Sequence, residues 1–286
     1  MRLFWGGAQV IPRLSIMTRT SFVRQAKCYD YGMIHYPRSV SATAARMVSY
    51  AQNGEDVLID RVLRKSAGFF IDVGAFHPIV DSVTKHFSLL GWSGINIEPD
   101  PEFFALLAQD RPNEINICAA VGRQPGQAVL HRLTSRQCST ISEAHLARLD
   151  QAIRVGSDRV SVSVRTLADI CAEHVRGDID FLKIDVEGAE ADVVAGADWQ
   201  KYRPVLVVIE ATHPGGGVAG SESWEPILLR NDYRFQHFDG INRYYLRAED
   251  EVLASQLSAP LNYLDWYLRF ADVLEIRRVD PAEGAR

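Results

Sequence analysis

The chain between residues 69 and 210 alternates short apolar runs with amphipathic stretches of helical spacing, and this alternation strongly limits its possible folds. The apolar runs predict strands at residues 69–73, 94–98, 115–119, 181–185 and 205–210. The amphipathic stretches predict helices near residues 55–65, 81–90, 101–109 and 189–197. Because strand-helix-strand units join parallel strands through right-handed crossovers, the pattern predicts an α/β fold with helices on both faces of a mostly parallel sheet.

Two segments depart from this alternation. Residues 121–165 contain "QAVLHRL" and "RVSVSVRTL", which predict edge strands flanking a polar, partly helical insertion. A lid or a substrate loop is expected in that insertion. Nearer the end, "YRFQHFDGINRYYLR" alternates around Asp239 and Gly240, which predicts an antiparallel hairpin that closes the sheet.

Composition excludes several classes of protein. A chain of 286 residues with 47% hydrophobic residues can bury a full core, and no apolar run approaches the roughly 20 residues of a membrane-spanning helix. The net charge of −5 and the pI near 5.9 argue against a nucleic-acid partner. The cysteines form no CxxC pair, so we expect neither a zinc site nor disulfides, and a cytoplasmic location. They are Cys28, Cys118, Cys138 and Cys171. The oligomeric state leaves no readable pattern in the sequence.

Residues 1–46 differ from the rest in charge, because Asp30 is their only acidic residue. Their basic residues are Arg2, Arg13, Arg19, Arg24, Lys27, Arg38 and Arg46. The segment suits a transit-like peptide, a membrane-surface segment, a poorly ordered extension, or residues upstream of a start at Met33 or Met47. We therefore predict an N-terminal extension over 1–46, one domain over 47–250 and a partly helical tail over 251–286.

Acidic residues stand where the predicted strands end. In open α/β sheets, ligands bind beyond the carboxyl ends of the strands, so these residues are candidates for a site. They are Asp72, followed by Gly74; Glu98; Asp185, followed by Glu187; and Glu210, with His213 nearby.

Glu98 follows Gly74 at close to the spacing of about 20 residues at which an acid binds the hydroxyls of a ribose. The loop "GAFHP" after Asp72 lacks the further glycines that surround a pyrophosphate, which disfavours a nicotinamide dinucleotide. An acid beside the glycine instead suits a cationic amino-acid tail, such as that of S-adenosylmethionine. The pattern therefore predicts a nucleoside ligand with a cationic tail.

Five segments follow one another along the chain: "SYAQNGEDVLIDRVL", "FFIDVGAFHPIVDSVTKHF", "GWSGINIEPDPEFFALLAQDRP", "FLKIDVEGAEADVVAG" and "VVIEATHP". Together they resemble the FkbM family of S-adenosylmethionine-dependent methyltransferases. The resemblance covers roughly residues 49–247 and implies a class I methyltransferase fold. That fold has a Rossmann-like, seven-stranded sheet, parallel except for one strand of a C-terminal hairpin.

The resemblance also implies where the cofactor binds. Asp72 and Gly74 would frame its methionine end, and Glu98 would hold the ribose. Cys118 to Ala120 would line the adenine, and Asp185 and Glu187 would face the reacting methyl group. The full set of cofactor-binding candidates is Gln52, Asn53, Asp72, Gly74, Ala75, Phe76, His77, Glu98, Pro99, Cys118, Ala119, Ala120 and Asp185. Phe76 stands where many relatives have Asn. A contact with the cofactor and a role at the start of a helix are equally open for four residues, Gln52, Asn53, Glu55 and Asp56.

The family mostly methylates hydroxyl oxygens, so the resemblance implies O-methylation of a sugar, a glycan or a hydroxylated natural product. The catalytic candidates are Asp185, His213, Glu187 and Glu210, with His213 or Asp185 favoured as the base. Alternatively, Asp185, Glu187 and Glu210 would bind Mg²⁺. The competing functions are a nicotinamide-dependent oxidoreductase or epimerase, and a catalytically silent binding module.

Other residues near these motifs have simpler interpretations. Lys183 is expected to be an ordinary sheet or surface residue. Trp224 is the aromatic residue most expected to stack on an acceptor sugar, because it lies in the glycine-rich segment 213–226. That segment is predicted to be flexible enough to act as a lid.

Overall fold

A seven-stranded sheet forms the centre of the computed structural model, which describes residues 47–154, 158–212 and 220–272. The strands are β1 Met47–Ser49, β2 Phe69–Val73, β3 Ser93–Ile97, β4 Ile115–Ile117, β5 Ala120–Val121, β6 Gly126–Arg132, β7 Asp158–Arg165, β8 Phe181–Ile184, β9 Leu206–Glu210, β10 Tyr233–Phe238, β11 Asn242–Arg247 and β12 Tyr267–Arg269. The α-helices are α1 Glu55–Leu63, α2 Lys85–Leu89, α3 Pro101–Asp110, α4 Glu143–Arg148, α5 Gln151–Arg154, α6 Leu167–His174, α7 Glu190–Ala195 and α8 Glu225–Arg230. Short 3-10 helices cover Arg136–Cys138, Ser221–Ser223, Ala248–Leu257 and Tyr263–Asp265.

The strand order of the central sheet is β10-β11-β9-β8-β2-β3-β4. Strands β4, β3, β2, β8 and β9 pair in parallel, whereas β11 is antiparallel to both of its neighbours, β9 and β10. The predicted class I methyltransferase fold is confirmed. The β10-β11 hairpin turns at Asp239, whose Oδ1 accepts hydrogen bonds from the backbone N–H groups of Ile241 and Asn242.

Alternate residues of the central strands pack on opposite faces of the sheet, as strand geometry requires. On one face, Ile71 and Leu182 belong to an apolar cluster that also contains residues of α6, α7 and α8. On the other face, Phe70 and Phe181 pack with residues of α1 and α2. Asp72 and Lys183 share the face of Phe70 and Phe181, because each lies two residues further along its strand.

Several predicted elements differ in extent from those observed. The helix predicted from residue 81 begins only at Lys85, because Asp81 has a left-handed φ of 56° and the preceding segment forms a loop. The strand predicted over 115–119 ends at Ile117, and Ala120 pairs instead with Val164 of β7.

The two predicted edge strands of the insertion pair with each other. β6 and β7 are antiparallel from Gly126 opposite Val164 to Arg132 opposite Asp158, and with β5 they form a separate three-stranded sheet. The described part of the insertion between them contains a 3-10 turn, α4 and α5.

Residues 251–272 pack on the domain. Leu257 has no exposed surface and lies in the cluster that contains residues of α1, and β12 pairs in parallel with β1. Residues 1–46 lie outside the described part of the chain, and the division into 1–46, 47–250 and 251–286 remains a prediction. Within the described ranges, no helix has the length and apolar character needed to cross a bilayer.

Candidate active site

A cavity of about 270 Å³ opens at the carboxyl ends of β2, β3, β8 and β9, where an open α/β sheet binds its ligand. The loops after these strands, the segment before α1 and the insertion between β6 and β7 all line it. The predicted site residues among its lining are Gln52, Asp72, Gly74, Ala75, Phe76, Glu98, Pro99, Ala119, Ala120, Asp185, Glu187 and Glu210.

Gly74 lets the turn after β2 pass close to the end of β8. Its φ is +79°, and a Cβ atom at this position would lie 1.8 Å from the carbonyl oxygen of Asp185. The backbone N–H groups of Gly74 and Ala75 both donate to the carbonyl of Ile97, at 3.0 and 3.1 Å. Only glycine combines this backbone conformation with so close an approach. Gly74 therefore allows the ends of β2 and β8 to lie together along the cavity.

Glu98 is buried beside this turn, and backbone amides fix its carboxylate. Its Oε2 accepts a hydrogen bond from Phe76 N and its Oε1 accepts one from Asp100 N, both at 2.8 Å. Burial raises the pKa of Glu98 to about 7. Because each carboxylate oxygen has two acceptor sites, Glu98 can still accept hydrogen bonds from a pair of hydroxyls in the cavity.

Asp72 and Lys183 lie side by side on β2 and β8. Asp72 Oδ2 accepts from the Thr84 hydroxyl at 2.8 Å, whereas Oδ1 has no hydrogen-bond partner in the described part of the chain. Lys183 Nζ donates to the Gly74 carbonyl at 3.1 Å and lies 3.3 Å from Asp185 Oδ2 and 3.7 Å from Asp72 Oδ1. Burial opposes the charge of Lys183, but Asp185 and Asp72 outweigh it and raise the lysine pKa. Lys183 is therefore a buried cation within the site.

Carboxylates from β9 and the loop after β8 gather at one end of the cavity. One oxygen each from Asp185, Glu187 and Glu210 lies within 4.8 Å of the others, and we call these three residues the acidic trio. Burial, with a further contribution from the Asp185 charge, raises the pKa values of Glu187 and Glu210. Carboxylates that lie this close together and have raised pKa values can exchange protons with a ligand or bind one cation together.

The insertion fixes one member of the acidic trio. Glu187 has a left-handed φ of 54°, an arrangement that costs about 1 to 2 kcal/mol for a residue with a Cβ atom. The Thr140 hydroxyl donates to the Glu187 carbonyl at 2.7 Å, and His145 Nε2 lies 3.3 Å from Glu187 Oε2. Gly188, with a φ of +94°, makes room for the His145 ring, because a Cβ atom there would lie 2.6 Å from His145 Cβ.

Residues 72–235 match a family model described as the methyltransferase FkbM domain, and the match covers more than half of the chain. The chain belongs to the FkbM methyltransferase family. The resemblance seen in the sequence is thereby confirmed, and the chain is a methyltransferase. No curated protein matches the chain.

Several solved methyltransferase structures are similar to this FkbM methyltransferase, and each match covers 68% of the FkbM chain. A TehB-like SAM-dependent methyltransferase from Corynebacterium glutamicum ATCC 13032 Kitasato has 11% identity, a TM-score of 0.39 and 87% of its own chain covered. Precorrin-6y C5,15-methyltransferase from Geobacter metallireducens GS-15 has 10% identity, a TM-score of 0.37 and 87% coverage. Magnesium protoporphyrin IX methyltransferase from Synechocystis PCC 6803, with bound SAM, has 11% identity, a TM-score of 0.35 and 77% coverage.

Several candidates of the FkbM methyltransferase lie away from the cavity lining. His77 Nδ1 accepts hydrogen bonds from Ile79 N and Val80 N at 3.1 and 3.0 Å, and burial lowers the pKa of His77 to about 4. His77 therefore caps a turn. The side-chain amide of Asn53 donates to the carbonyl of Asp239 at 3.2 Å.

Cys118 is exposed and does not line the cavity, with its Sγ 4.0 Å from the Pro99 carbonyl. His213, like the rest of 213–219, lies outside the described residues. The prediction that Trp224 meets an acceptor sugar is wrong. Trp224 is 3% exposed and packs in the core against Tyr245, with ring centroids 5.7 Å apart.

Sequence reasoning missed three residues of this site and left a fourth open. Lys183 was expected to be an ordinary sheet residue, although its register opposite Asp72 could have signalled a buried pair. Glu55, for which the sequence left a cofactor contact and helix capping equally open, lines the cavity from the start of α1, and its Oε1 accepts from Asn242 Nδ2 at 2.9 Å. Arg136 and His145 come from the insertion. Arg136 lines the cavity, and His145 lies 3.3 Å from the Glu187 carboxylate, but nothing in their local sequence indicates these positions.

Proposed function

We propose that this FkbM-family enzyme transfers the methyl group of S-adenosylmethionine to a hydroxyl of a sugar, a glycan or a hydroxylated natural product. The observation that carries this proposal is the distribution of carboxylates in one cavity. Glu98 and Asp72 lie beside the glycine turn, and the acidic trio lies at the end of β8 and β9. A ligand with hydroxyls, a cationic tail and a reacting group between them matches this arrangement.

The residues beside the glycine turn fit S-adenosylmethionine. We assign Glu98 to the ribose hydroxyls and Asp72 to the α-ammonium group, because Asp72 Oδ1 is buried without a hydrogen-bond partner among the described residues. The buried Ala119 and Ala120 offer an apolar surface for the adenine. When bound, the cofactor supplies a methyl group that its sulfonium already activates.

The chain's own contribution is then mainly to orient the acceptor. Correct alignment of two reactants supplies as much as about 7 to 11 kcal/mol, and a placed base adds roughly 10²- to 10⁴-fold. We propose that the acidic trio takes the proton that the acceptor hydroxyl loses. His213 remains a second candidate for this base. The polar side chains of Gln52, Gln137 and Thr212 also line the cavity, which favours a hydroxylated acceptor over an apolar one.

A second role for the acidic trio is to bind Mg²⁺, because three carboxylate oxygens within 4.8 Å of one another suit a hard cation. The cation would then orient and acidify the acceptor hydroxyl. The two roles differ in a measurable way, since only the second makes turnover depend on a divalent cation.

The first test is calorimetric titration of the protein with S-adenosylmethionine, S-adenosylhomocysteine and NAD. We expect micromolar binding of the first two and none of NAD. Binding of NAD alone would support an oxidoreductase or epimerase, and binding of none of them would overturn the proposal and leave a catalytically silent module.

The second test assigns the acidic trio. The protein, S-adenosylmethionine and a panel of sugars and hydroxylated metabolites are assayed for methyl transfer, with and without Mg²⁺ and EDTA. We expect Glu210→Gln and Glu187→Gln to bind S-adenosylhomocysteine as the wild type does and to lose at least about 100-fold in turnover. Turnover abolished by EDTA and restored by Mg²⁺ would assign the trio to a cation instead of the proton.

We also propose that the enzyme works in a reducing compartment such as the cytoplasm. Cys118, Cys138 and Cys171, the cysteines in the described part of the chain, are free thiols. A small-molecule or glycan acceptor, and not a nucleic acid, agrees with the net charge of −5. Electrophoresis under reducing and non-reducing conditions after isolation in a thiol-blocking buffer tests the first point, since the proposal expects identical migration.

A further inference from the structure

A row of polar side chains crosses the sheet beneath the cavity. Asn116, Asn96, Asp72 and Lys183 are direct neighbours in register on β4, β3, β2 and β8. The last three are buried, with exposures of 0%, 1% and 7%. Because buried polar groups are costly unless they are bonded, the partners of this row determine how each member is oriented.

Arg111, just after α3, supplies the charge that organises the row on one side. It is 2% exposed, and its guanidinium donates to Thr84 Oγ1 at 2.7 Å, Asn96 Oδ1 at 3.1 Å and Ser82 Oγ at 2.7 Å. It also donates to the Pro78 carbonyl at 2.5 Å. Arg111 therefore ties the loop after β2 to the sheet.

The chemistry of these groups fixes the direction of the hydrogen bonds. Arginine only donates, so Thr84 Oγ1 accepts from Arg111 and must direct its own proton elsewhere. That proton goes to Asp72 Oδ2, at 2.8 Å. The chain Arg111 to Thr84 to Asp72 thus uses one oxygen of the carboxylate. Asp72 lines the cavity, and its other oxygen, Oδ1, has no hydrogen-bond partner among the described residues, with Lys183 Nζ at 3.7 Å.

We propose that Arg111 and Thr84 are positioning residues that hold Asp72 in the orientation that binds the α-ammonium group of the cofactor's amino-acid tail. This inference rests on the proposed function, because it takes the tail of S-adenosylmethionine as the ligand of Asp72. Neither Arg111 nor Thr84 lines the cavity, so their effect on binding passes through Asp72.

The test compares two ligands that differ only in this tail. S-adenosylhomocysteine carries the amino acid, whereas 5′-methylthioadenosine keeps the nucleoside and the thioether without it. Thr84→Val removes the hydroxyl at nearly constant volume, and Thr84→Ser keeps it. We expect Thr84→Val to weaken S-adenosylhomocysteine binding about tenfold or more while 5′-methylthioadenosine binding changes less than about twofold. Thr84→Ser is expected to bind both ligands as the wild type does.

Coupling to Asp72 provides the second measurement. In an Asp72→Asn background, Thr84→Val is expected to change S-adenosylhomocysteine binding less than about twofold, because the two substitutions act on one interaction. Arg111→Lys keeps the charge but loses the guanidinium fork, so we expect it to show the same selective loss. Thermal melting confirms that each variant is folded.

The outcomes separate the two proposals. Equal losses for both ligands in Thr84→Val, or no loss for either, would overturn the positioning role while leaving the methyltransferase proposal intact. Additive effects of Thr84→Val and Asp72→Asn would also overturn it. A wild-type protein that binds neither S-adenosylhomocysteine nor S-adenosylmethionine would overturn the proposed function, and the inference with it.

Discussion

Glu98 and Asp72 are two buried acids with different kinds of support. Backbone amides hold both oxygens of Glu98, so its position follows from the path of the chain itself. Asp72 depends on side chains, Thr84 and Lys183, that come from other parts of the sequence. Substitutions near Glu98 should therefore affect its carboxylate only if they change the local backbone. The orientation of Asp72, in contrast, should change when its side-chain partners are replaced.

Replacing Glu98 by Ala should weaken S-adenosylmethionine binding by about 1 to 3 kcal/mol, because the ribose hydroxyls would lose a buried acceptor. Calorimetric titration measures the dissociation constant. The matched control is Glu251→Ala, which removes an exposed carboxylate outside the cavity and should leave binding unchanged. An unchanged dissociation constant in Glu98→Ala would remove the ribose assignment.

Position at a strand end made most cavity acids predictable from the sequence. Asp72, Glu98, Asp185 and Glu210 each occupy or directly follow the carboxyl end of a strand that the hydrophobic pattern identifies. His145 was not predictable, because its approach to Glu187 depends on how an insertion folds back over the sheet. Long-range placement of this kind has no local signal.

Two glycines with left-handed backbone conformations stand in the connections on either side of α2. Gly74 and Gly91 both have positive φ, of +79° and +85°, but nothing lies within 4 Å of a Cβ atom at Gly91. An alanine at Gly91 therefore has only the cost of a left-handed conformation, whereas an alanine at Gly74 also clashes with the end of β8.

Gly91→Ala should lower the free energy of unfolding by about 1 to 2 kcal/mol, the cost of a left-handed residue with a Cβ atom. Gly74→Ala should lower it further and abolish cofactor binding, because its methyl group would overlap the Asp185 carbonyl. Urea denaturation of both variants measures the difference. Equal losses would show that the turn relaxes and that the close approach is not needed.

Arg136 anchors the insertion to the side of the cavity that is proposed to bind the cofactor. Its guanidinium pairs with Asp100 and lies 5.3 Å from the centre of the Phe103 ring, which in turn contacts Phe76 at a centroid distance of 4.2 Å. This stack joins the insertion, α3 and the glycine turn into one wall.

Arg136→Ala should raise the dissociation constant of S-adenosylhomocysteine about fivefold, because the wall loses a cation-π contact worth about 1 kcal/mol. Arg123→Ala is the matched control, since Arg123 forms an exposed ion pair with Asp192 and does not line the cavity. Equal affinities of the Arg136 variant and the wild type would show that the insertion does not support the cofactor.

Among the elements, the regular ones were predictable and the irregular ones were not. The hydrophobic alternation placed β2, β3, β8 and β9 to within about two residues of their observed bounds. α2 was predicted too long, because the loop before it is held by Arg111, which lies beyond the next strand, and not by helical hydrogen bonds. The pairing of β6 with β7 was missed because either strand alone matches an edge strand.

At the scale of the whole molecule, the fold buries several acids around one cavity. Burial raises the pKa of Glu55 to about 7, from 4.5 for a solvent-exposed glutamate such as that of the unfolded chain. Since the folded pKa is higher than the unfolded one, the stability that Glu55 contributes is fully present below about pH 4.5 and is lost as the pH rises through about 7.

The cofactor-free wild type should therefore lose up to about 3 kcal/mol relative to Glu55→Gln between pH 4.5 and pH 8. The glutamine does not ionise, so its own stability carries no such contribution. Chemical denaturation of both proteins across this range gives the difference, with the exposed Glu251→Gln as a control that should follow the wild type. Parallel stability curves for Glu55→Gln and the wild type would contradict the raised pKa.

The polar row across β4, β3, β2 and β8 also has a consequence for how the sheet assembles. A slip of β2 by one residue against β3 would turn Asp72 to the opposite face, among Ile95 and Ile97, and remove it from Thr84 and Lys183. An isolated buried carboxylate is far more costly than a misplaced apolar side chain. Asp72, the acid proposed to bind the ligand, thus also favours the correct strand register, because a chain that pairs β2 wrongly would bury this carboxylate without its partners.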